Sequence, residues 1–137
     1  MNDWRVIRKA SPGEASASEV SRQSNQIVLA RAKWCKSLWC QFKGLQMRRS
    51  LPEDEGLLFD FRRESVVATS IHMFFVFFAI AAVWLDAEGR VVDAKLAKPW
   101  RPAYAPAKPA RYLIEARPSL LDRVQIGDHL TFDEAAQ

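Results

Sequence analysis

Glu115 is the one carboxylate whose sequence surroundings are those of a buried polar group. It lies in the largely apolar segment Tyr112–Ala116, which we predict to be a strand, and strand alternation places it on the same face as Leu113. A buried carboxylate costs free energy unless it is paired. We therefore expect an arginine, a backbone donor or a bound ligand beside it, and Arg48 and Arg111 are the candidate partners because an arginine fork matches a carboxylate.

The remaining candidates for a binding site are scattered along the chain. Trp100 and Tyr104 are the aromatic anchors of a stretch that carries four prolines, at positions 99, 102, 106 and 109. A segment so rich in proline is predicted to be an extended connection rather than a helix or a central strand. The full set of candidate binding residues, for an unknown small ligand or protein, is Arg48, His72, Met73, Trp100 and Glu115.

The chain carries no recognisable catalytic motif. No Ser, Cys or Lys lies in a nucleophile motif, and no glycine-rich phosphate loop is present. The other acidic residues have no spacing that requires them to be close together. The two histidines, His72 and His129, have no clustered ligands around them. We therefore predict no catalytic residues, no metal and no cofactor, which favours a binding protein over an enzyme.

The two cysteines, Cys35 and Cys40, lie in the segment WCKSLWC. This spacing is neither that of a redox pair nor that of half a zinc site. The surrounding apolar residues recur with helical period from Trp34 to Leu45, which predicts an amphipathic helix over residues 34–46. On a helix the two cysteines point to different sides, so we expect no disulfide between them.

An uncharged run of twenty residues, Val66–Leu85, reads VVATSIHMFFVFFAIAAVWL. Its length suits a membrane-spanning helix. However, its first third holds Thr69, Ser70 and His72, and its Val, Ile and Phe content favours strands. The following residues, up to Val92, read as a turn and a second strand. We prefer buried strands, with membrane association through Val66–Leu85 as the alternative.

The coarse organisation is one β-rich domain. Residues 1–25 are predicted to be a disordered leader, residues 26–133 the domain and residues 134–137 a tail. Strands are predicted at 27–30, 57–61, 66–73, 82–85, 91–96 and 112–116, and residues 126–132 are predicted to be a Gly-Asp turn followed by a last strand. The fold class that follows is mainly β, a sandwich or barrel-like arrangement of short strands with the single amphipathic helix packed on the sheet.

Charge and targeting signals narrow the partners and the compartment. The formal net charge is +4, but no Lys/Arg-rich run or RNA-binding aromatic signature accompanies it, so no specific nucleic-acid partner is predicted. The first 25 residues lack the continuous apolar core of a secretory signal. A cytoplasmic location is therefore expected, with the membrane as the alternative.

Several blocks together resemble a known family. They are GLQMRRSLPEDEGLLF at residues 44–59, His72-Met73, Trp84-Leu85-Asp86, Gly89, Val91-Val92, the proline stretch, YLIE at residues 112–115, and Gly127-Asp128. This succession resembles the domain-of-unknown-function 192 (DUF192) family of small bacterial and archaeal proteins, over about residues 27–132. The resemblance implies a soluble β-sandwich or barrel-like fold, and it implies no activity because none is assigned to the family.

The chain departs from the family pattern at three places. Members usually carry Pro-Leu-Asp where this chain has Ala79-Ile80-Ala81, and Lys-Asn-Thr where it has Phe74-Phe75-Val76. Arg117-Pro118 replaces a usual glycine after the Leu-Glu strand. If the family's Asp belongs to a polar site, this chain has lost it at Ala81. The expected function is thus a small, non-enzymatic binding module, with a membrane-associated protein and an enzyme of unknown reaction as the alternatives.

Overall fold

The fold is a single seven-stranded sheet, seen in a computed structural model that describes residues 3–10, 26–35, 50–73, 75–101 and 103–134. The strands are β1 (Trp4–Lys9), β2 (Gln26–Cys35), β3 (Glu55–Ser65), β4 (Ile80–Leu85), β5 (Val91–Ala97), β6 (Ala110–Ala116) and β7 (Leu130–Glu134), and a 3-10 helix spans Pro118–Asp122. The predicted mainly β class is confirmed.

The strand order across the sheet is β5-β4-β6-β3-β2-β1-β7. All neighbours are antiparallel except β2 and β3, which are parallel. The two edges approach each other at one end, because the amide of Leu130 at the start of β7 donates to the carbonyl of Gly89 in the β4–β5 turn (2.9 Å) and the amide of Val91 donates to the carbonyl of Asp128 (2.8 Å). These bonds link the two edges at one end only, through an isolated bridge between Arg90 and His129, and β5 and β7 remain the edge strands of the sheet.

Each face of the sheet carries its own apolar cluster. The cluster on the face covered by the 3-10 helix, which we call the helix-side cluster, combines residues from all seven strands with Leu120 of that helix. The cluster on the opposite face, which we call the loop-side cluster, contains strand residues such as Leu57, Trp84 and Leu113. It also contains residues from the loops that cover this face, including Leu51 and Met73. Because successive strand residues alternate between faces, the five strands from β2 to β6 supply residues to both clusters.

The uncharged run Val66–Leu85 is partly loop and partly strand. Its last six residues form β4, in which every residue is buried. The predicted strand at 66–73 is wrong, because these residues form bends and turns with one isolated bridge at Ile71. Thr69 ties this loop to β4, since the buried indole Nε1 of Trp84 donates to its carbonyl oxygen (2.7 Å). Among the described residues, no helix is long and apolar enough to cross a membrane.

The predicted disordered leader must be corrected. Trp4–Lys9 form β1, which is hydrogen-bonded to β2 on one side and β7 on the other. Ile7 of this strand is fully buried in the helix-side cluster. Residues 11–25 of the leader lie outside the described residues. The beginning of the chain is therefore part of the sheet rather than a loose extension.

The predicted amphipathic helix at 34–46 is also not supported. Trp34 and Cys35 are the last residues of β2, where they pair with Leu58 and Phe59 of β3, and the rest of that segment lies outside the described residues. The expectation of no disulfide fails with it, because it assumed helical geometry. Cys35 is fully buried and disulfide-bonded, and Cys40 is the only other cysteine of the chain.

Candidate functional site

Glu115 occupies the centre of the sheet. Its strand, β6, lies between β4 and β3, and Glu115 is paired with Ala82 on one side and Leu57 on the other. It follows the same alternation as Leu113, which belongs to the loop-side cluster. The sequence prediction that Glu115 shares a buried face with Leu113 is confirmed, since only 7% of the residue is exposed.

The carboxyl of Glu115 has no ionic or hydrogen-bonded partner among the described residues. Burial alone therefore acts on it, and burial raises the pKa of Glu115 from 4.5 to about 7. The suggested pair with Arg111 is wrong, because Arg111 donates twice to Asp60, from Nε to Oδ1 (3.0 Å) and from an Nη to Oδ2 (3.2 Å). The other suggested partner, Arg48, lies outside the described residues.

A cleft of about 310 Å³ opens where β6 ends. Its lining residues come from the segment before β3, the loop before β4 and the turn into the 3-10 helix; they are Ser50, Leu51, Phe78, Ala79, Arg117 and Pro118. Arg117 follows Glu115 by two residues, so strand alternation directs the two side chains to the same face. Glu115 itself is not one of the lining residues, and the cleft begins at Arg117, two residues farther along the chain.

Arg117 is held at the rim of this cleft by two bonds. An Nη atom donates to the carbonyl oxygen of Leu51 (3.2 Å), and Nε forms an ion pair with Glu53 (3.1 Å). Both charged side chains are about half exposed, so this pair stabilises the fold little. Its effect is to position the guanidinium over the cleft while leaving the charge of Glu115 uncompensated.

The other predicted binding residues lie elsewhere. Met73 is fully buried in the loop-side cluster, whereas His72 is exposed. Met73 and Trp100 are brought together, because the amide of Trp100 donates to the carbonyl of Met73 (2.8 Å). Trp100 itself is 48% exposed. The four candidates within the described residues therefore do not form one site: Glu115 belongs to the cleft end of β6, and Met73 and Trp100 belong to a pair of adjoining loops.

The residues that line the cleft were not predicted to belong to a site. They come from separate parts of the chain, and only Ser50 and Leu51 belong to a block that the family resemblance uses. Two signals were present in the sequence, namely Ala79 in the place of the family's usual proline and Arg117-Pro118 in the place of the usual glycine. Within the described part of the chain, no group of three His, Cys, Asp or Glu residues could hold a metal ion.

Comparison with known proteins identifies relatives over most of the chain. The family model DUF192, described as "Uncharacterized ACR", matches residues 19–132. A UPF0127 protein from Thermococcus sibiricus is 30% identical over 116 residues, which cover 83% of this chain and 73% of that protein. A second from Thermococcus kodakarensis is 38% identical and covers 63% of this chain. This chain spans 53% of the length of that second relative and 60% of a third, from Thermococcus gammatolerans.

Two solved structures share the fold. One, from Sinorhizobium meliloti 1021 and described as a candidate transcription regulator, superposes with a TM-score of 0.76 at 19% identity and covers 96% of this chain and 95% of its own. The other, a protein of unknown function from Novosphingobium aromaticivorans, has a TM-score of 0.73 at 17% identity, with coverage of 92% and 83%. At such low identity these similarities concern the fold alone.

Proposed function

This chain belongs to the DUF192 family, and we propose that it is a non-enzymatic module that binds a small ligand in the cleft at the end of β6. The ligand would present a cationic or hydrogen-bond-donating group to Glu115. The observation that carries this proposal is the buried carboxyl of Glu115, which has no partner among the described residues. A carboxyl on a residue only 7% exposed usually has a partner in native proteins, so we take its partner to be a ligand that is present only part of the time.

The position of the cleft supports this assignment. With a strand rise of about 3.3 Å per residue, the Cα atoms of Glu115 and Arg117 are about 7 Å apart, a distance that a small molecule can span. Arg117 is already bonded to Leu51 and Glu53. Since Arg117 does not compensate Glu115, the ligand is the source of the missing donor.

The lining of the cleft indicates the rest of the ligand. Leu51, Phe78, Ala79 and Pro118 provide apolar surface, and Ser50 provides a hydroxyl. A volume of about 310 Å³ lies at the small end of ligand sites, which run from about 300 to 1,000 Å³. These features fit a compact molecule with an apolar body and one amine, guanidinium or amide group.

A second candidate function follows from the raised pKa of Glu115, about 7. A general acid or base works best with a pKa near the operating pH, so the same carboxyl could transfer a proton in a reaction. We favour binding because, among the described residues, no nucleophile or second titratable side chain is hydrogen-bonded to Glu115. Catalytic side chains are usually hydrogen-bonded to one another.

The proposal is tested with a panel of small amines, guanidines and amides, read out by thermal shift and by amide chemical shifts in two-dimensional NMR. A ligand at this site should raise the melting temperature and shift the signals of Leu51, Ala79, Glu115 and Arg117. Glu115→Gln should weaken binding at least tenfold, whereas the matched change Glu88→Gln, at an exposed turn residue, should not. A hit whose shifts lie away from the cleft, or whose affinity survives Glu115→Gln, would contradict the proposal.

A further inference from the structure

Three aromatic side chains from two adjoining loops are exposed together. Phe75 and Phe77 lie in the loop before β4, and Trp100 lies in the loop after β5; each is about half exposed. The rings of Phe75 and Phe77 contact that of Trp100, with centroid distances of 5.2 and 5.8 Å. We refer to these three residues as the aromatic patch. Exposed aromatic clusters of this kind mark interaction surfaces in proteins.

The backbone that carries the patch is held in an uncommon conformation. Phe75 and Trp100 have φ angles of 61° and 66°, in the left-handed region that bulky residues rarely adopt. Two bonds close the loops onto each other: the amide of Trp100 donates to the carbonyl of Met73, and the amide of Met73 donates to the carbonyl of Arg101 (both 2.8 Å). Strained positions that persist often serve function, and here both hold an aromatic ring at the surface.

The segment that carries Trp100 is basic. Residues 65–85 and 94–114 contain no Asp or Glu. Of the five basic residues in the second segment, Lys95 and Arg111 are paired with Asp93 and Asp60. The other three are exposed and form no ion pair with any described residue; they are Lys98, Arg101 and Lys108. Lys98 and Arg101 thus flank Trp100 in the sequence without an ion pair to any described residue, and this loop complements an anionic surface.

We propose that the aromatic patch docks this protein on anionic lipid membranes. Tryptophan and phenylalanine on loops enter the interfacial region of a bilayer, and neighbouring Lys and Arg side chains contact anionic headgroups. A single-stranded nucleic acid is the less suitable partner, because base stacking needs a free ring face. Both phenylalanine rings contact the ring of Trp100, at interplanar angles of 59° and 60°. These contacts reduce the area of the Trp100 ring face that a nucleobase could stack on. This docking differs from a membrane span, since the chain would lie at the surface.

The first test is flotation of the intact protein with vesicles of phosphatidylcholine alone or with about one third phosphatidylglycerol. Binding should require the anionic lipid and should fall as salt rises from about 0.05 to 0.5 M, because screening weakens the attraction between the cations and the headgroups. Failure to float with anionic vesicles at low salt would overturn the proposal. Salt-insensitive binding would do so as well, since the three cations would then have no part in it.

The second test uses variants chosen to keep the fold. Asparagine tolerates left-handed backbone better than other polar residues, so Phe75→Asn with Trp100→Asn removes two rings without adding strain. This double variant should bind anionic vesicles at least tenfold more weakly than the wild type. Lys98→Glu with Arg101→Glu should do the same. Ile126→Asn is the matched control, because Ile126 is 67% exposed in a loop away from the patch, and it should bind as the wild type does.

Circular dichroism melts confirm that each variant is folded before its binding is measured. If the double asparagine variant is folded and floats like the wild type, the patch is not the docking surface. A short single-stranded oligonucleotide serves as the alternative ligand in a fluorescence anisotropy assay. Tight oligonucleotide binding that is lost in the same variant, without vesicle binding, would assign the surface to nucleic acid and overturn the membrane proposal.

Discussion

Leu57 and Glu115 stand directly opposite each other on β3 and β6, so a carboxyl group and an apolar side chain share the same buried position of the sheet. Both residues are less than a tenth exposed. Folding removes this carboxyl from water without compensation by any described residue, which disfavours its ionised form. The stability of the protein should therefore depend on the protonation of Glu115.

The first prediction is that Glu115→Gln stabilises the protein above neutral pH. Burial raises the pKa of Glu115 from 4.5 to about 7, so between these values the folded state holds a proton that the unfolded state has released. The free energy of unfolding therefore has its full value, as far as this group is concerned, below pH 4.5. It falls as the pH rises from 4.5 to about 7. The difference between the two pKa values corresponds to about 3 kcal/mol in the free energy of unfolding.

Urea unfolding of the wild type and Glu115→Gln at a series of pH values measures this effect. The two proteins should be equally stable near pH 4.5, and the variant should be more stable by up to about 3 kcal/mol at pH 8. Taking the difference between the two proteins removes the contribution of all other titrating groups. A variant that is less stable than the wild type at pH 8 would mean that the carboxylate has a favourable partner.

The second prediction concerns β1. Ile7 is fully buried in the helix-side cluster, so Ile7→Ala should lower the free energy of unfolding by about 2–5 kcal/mol. Val67→Ala is the control, because Val67 is 85% exposed and should change stability by less than about 0.5 kcal/mol. Equal melting temperatures for the two variants would show that the first strand is dispensable, as expected of a disordered leader.

The third prediction concerns the Asp60–Arg111 pair. Burial acts to raise the pKa of Asp60, but the hydrogen bonds from Arg111 and from the amide of Arg62 outweigh burial, and the pKa is lowered. The stabilisation that Asp60 provides is therefore present above the pKa of this residue in the unfolded state. It is lost as the pH falls through the lowered pKa of the folded state. Because the Arg111 side chain is about one third exposed, solvent screening reduces the contribution.

We expect Asp60→Asn to cost about 1–2 kcal/mol at neutral pH. Asp133→Asn is the matched control, since Asp133 is 63% exposed and 3.6 Å from Arg8, and it should cost less than about 1 kcal/mol. Chemical denaturation at pH 7 compares the two. A cost that is the same for both variants would show that the two hydrogen bonds from Arg111 do not contribute.

The fourth prediction concerns Cys35, which is buried and disulfide-bonded. Thiol titration of the denatured protein should find no free cysteine until a reductant is added. A bridge to Cys40, the only other cysteine, closes a short loop, so reduction should cost about 2 kcal/mol by the chain-entropy relation. Thermal melts with and without reductant measure this, and Cys35→Ala should abolish the difference. Two free thiols in protein isolated without reductant would contradict it.

The sequence predicted correctly the features that depend on neighbouring residues. Alternation with Leu113 placed Glu115 on a buried face, because strand geometry sends every second side chain to the same side. The turn between β4 and β5 at Asp86–Gly89 could also be identified, since glycine with positive φ is its local requirement (Gly89 has φ 86°). Family blocks spread along the chain indicated the overall β fold.

Tertiary structure decided the features that depend on residues far apart in sequence. Trp34 and Cys35 follow a helical period, but parallel pairing with β3 makes them strand residues, because a formed ladder outweighs a weak local preference. β1 is held by β7, from the opposite end of the chain. The register of β3 against β6 likewise decides that Arg111 pairs with Asp60 and leaves Glu115 beside Leu57. Sequence alone therefore indicated that Glu115 is buried, and only the pairing of distant strands determined that no arginine of the described chain compensates it.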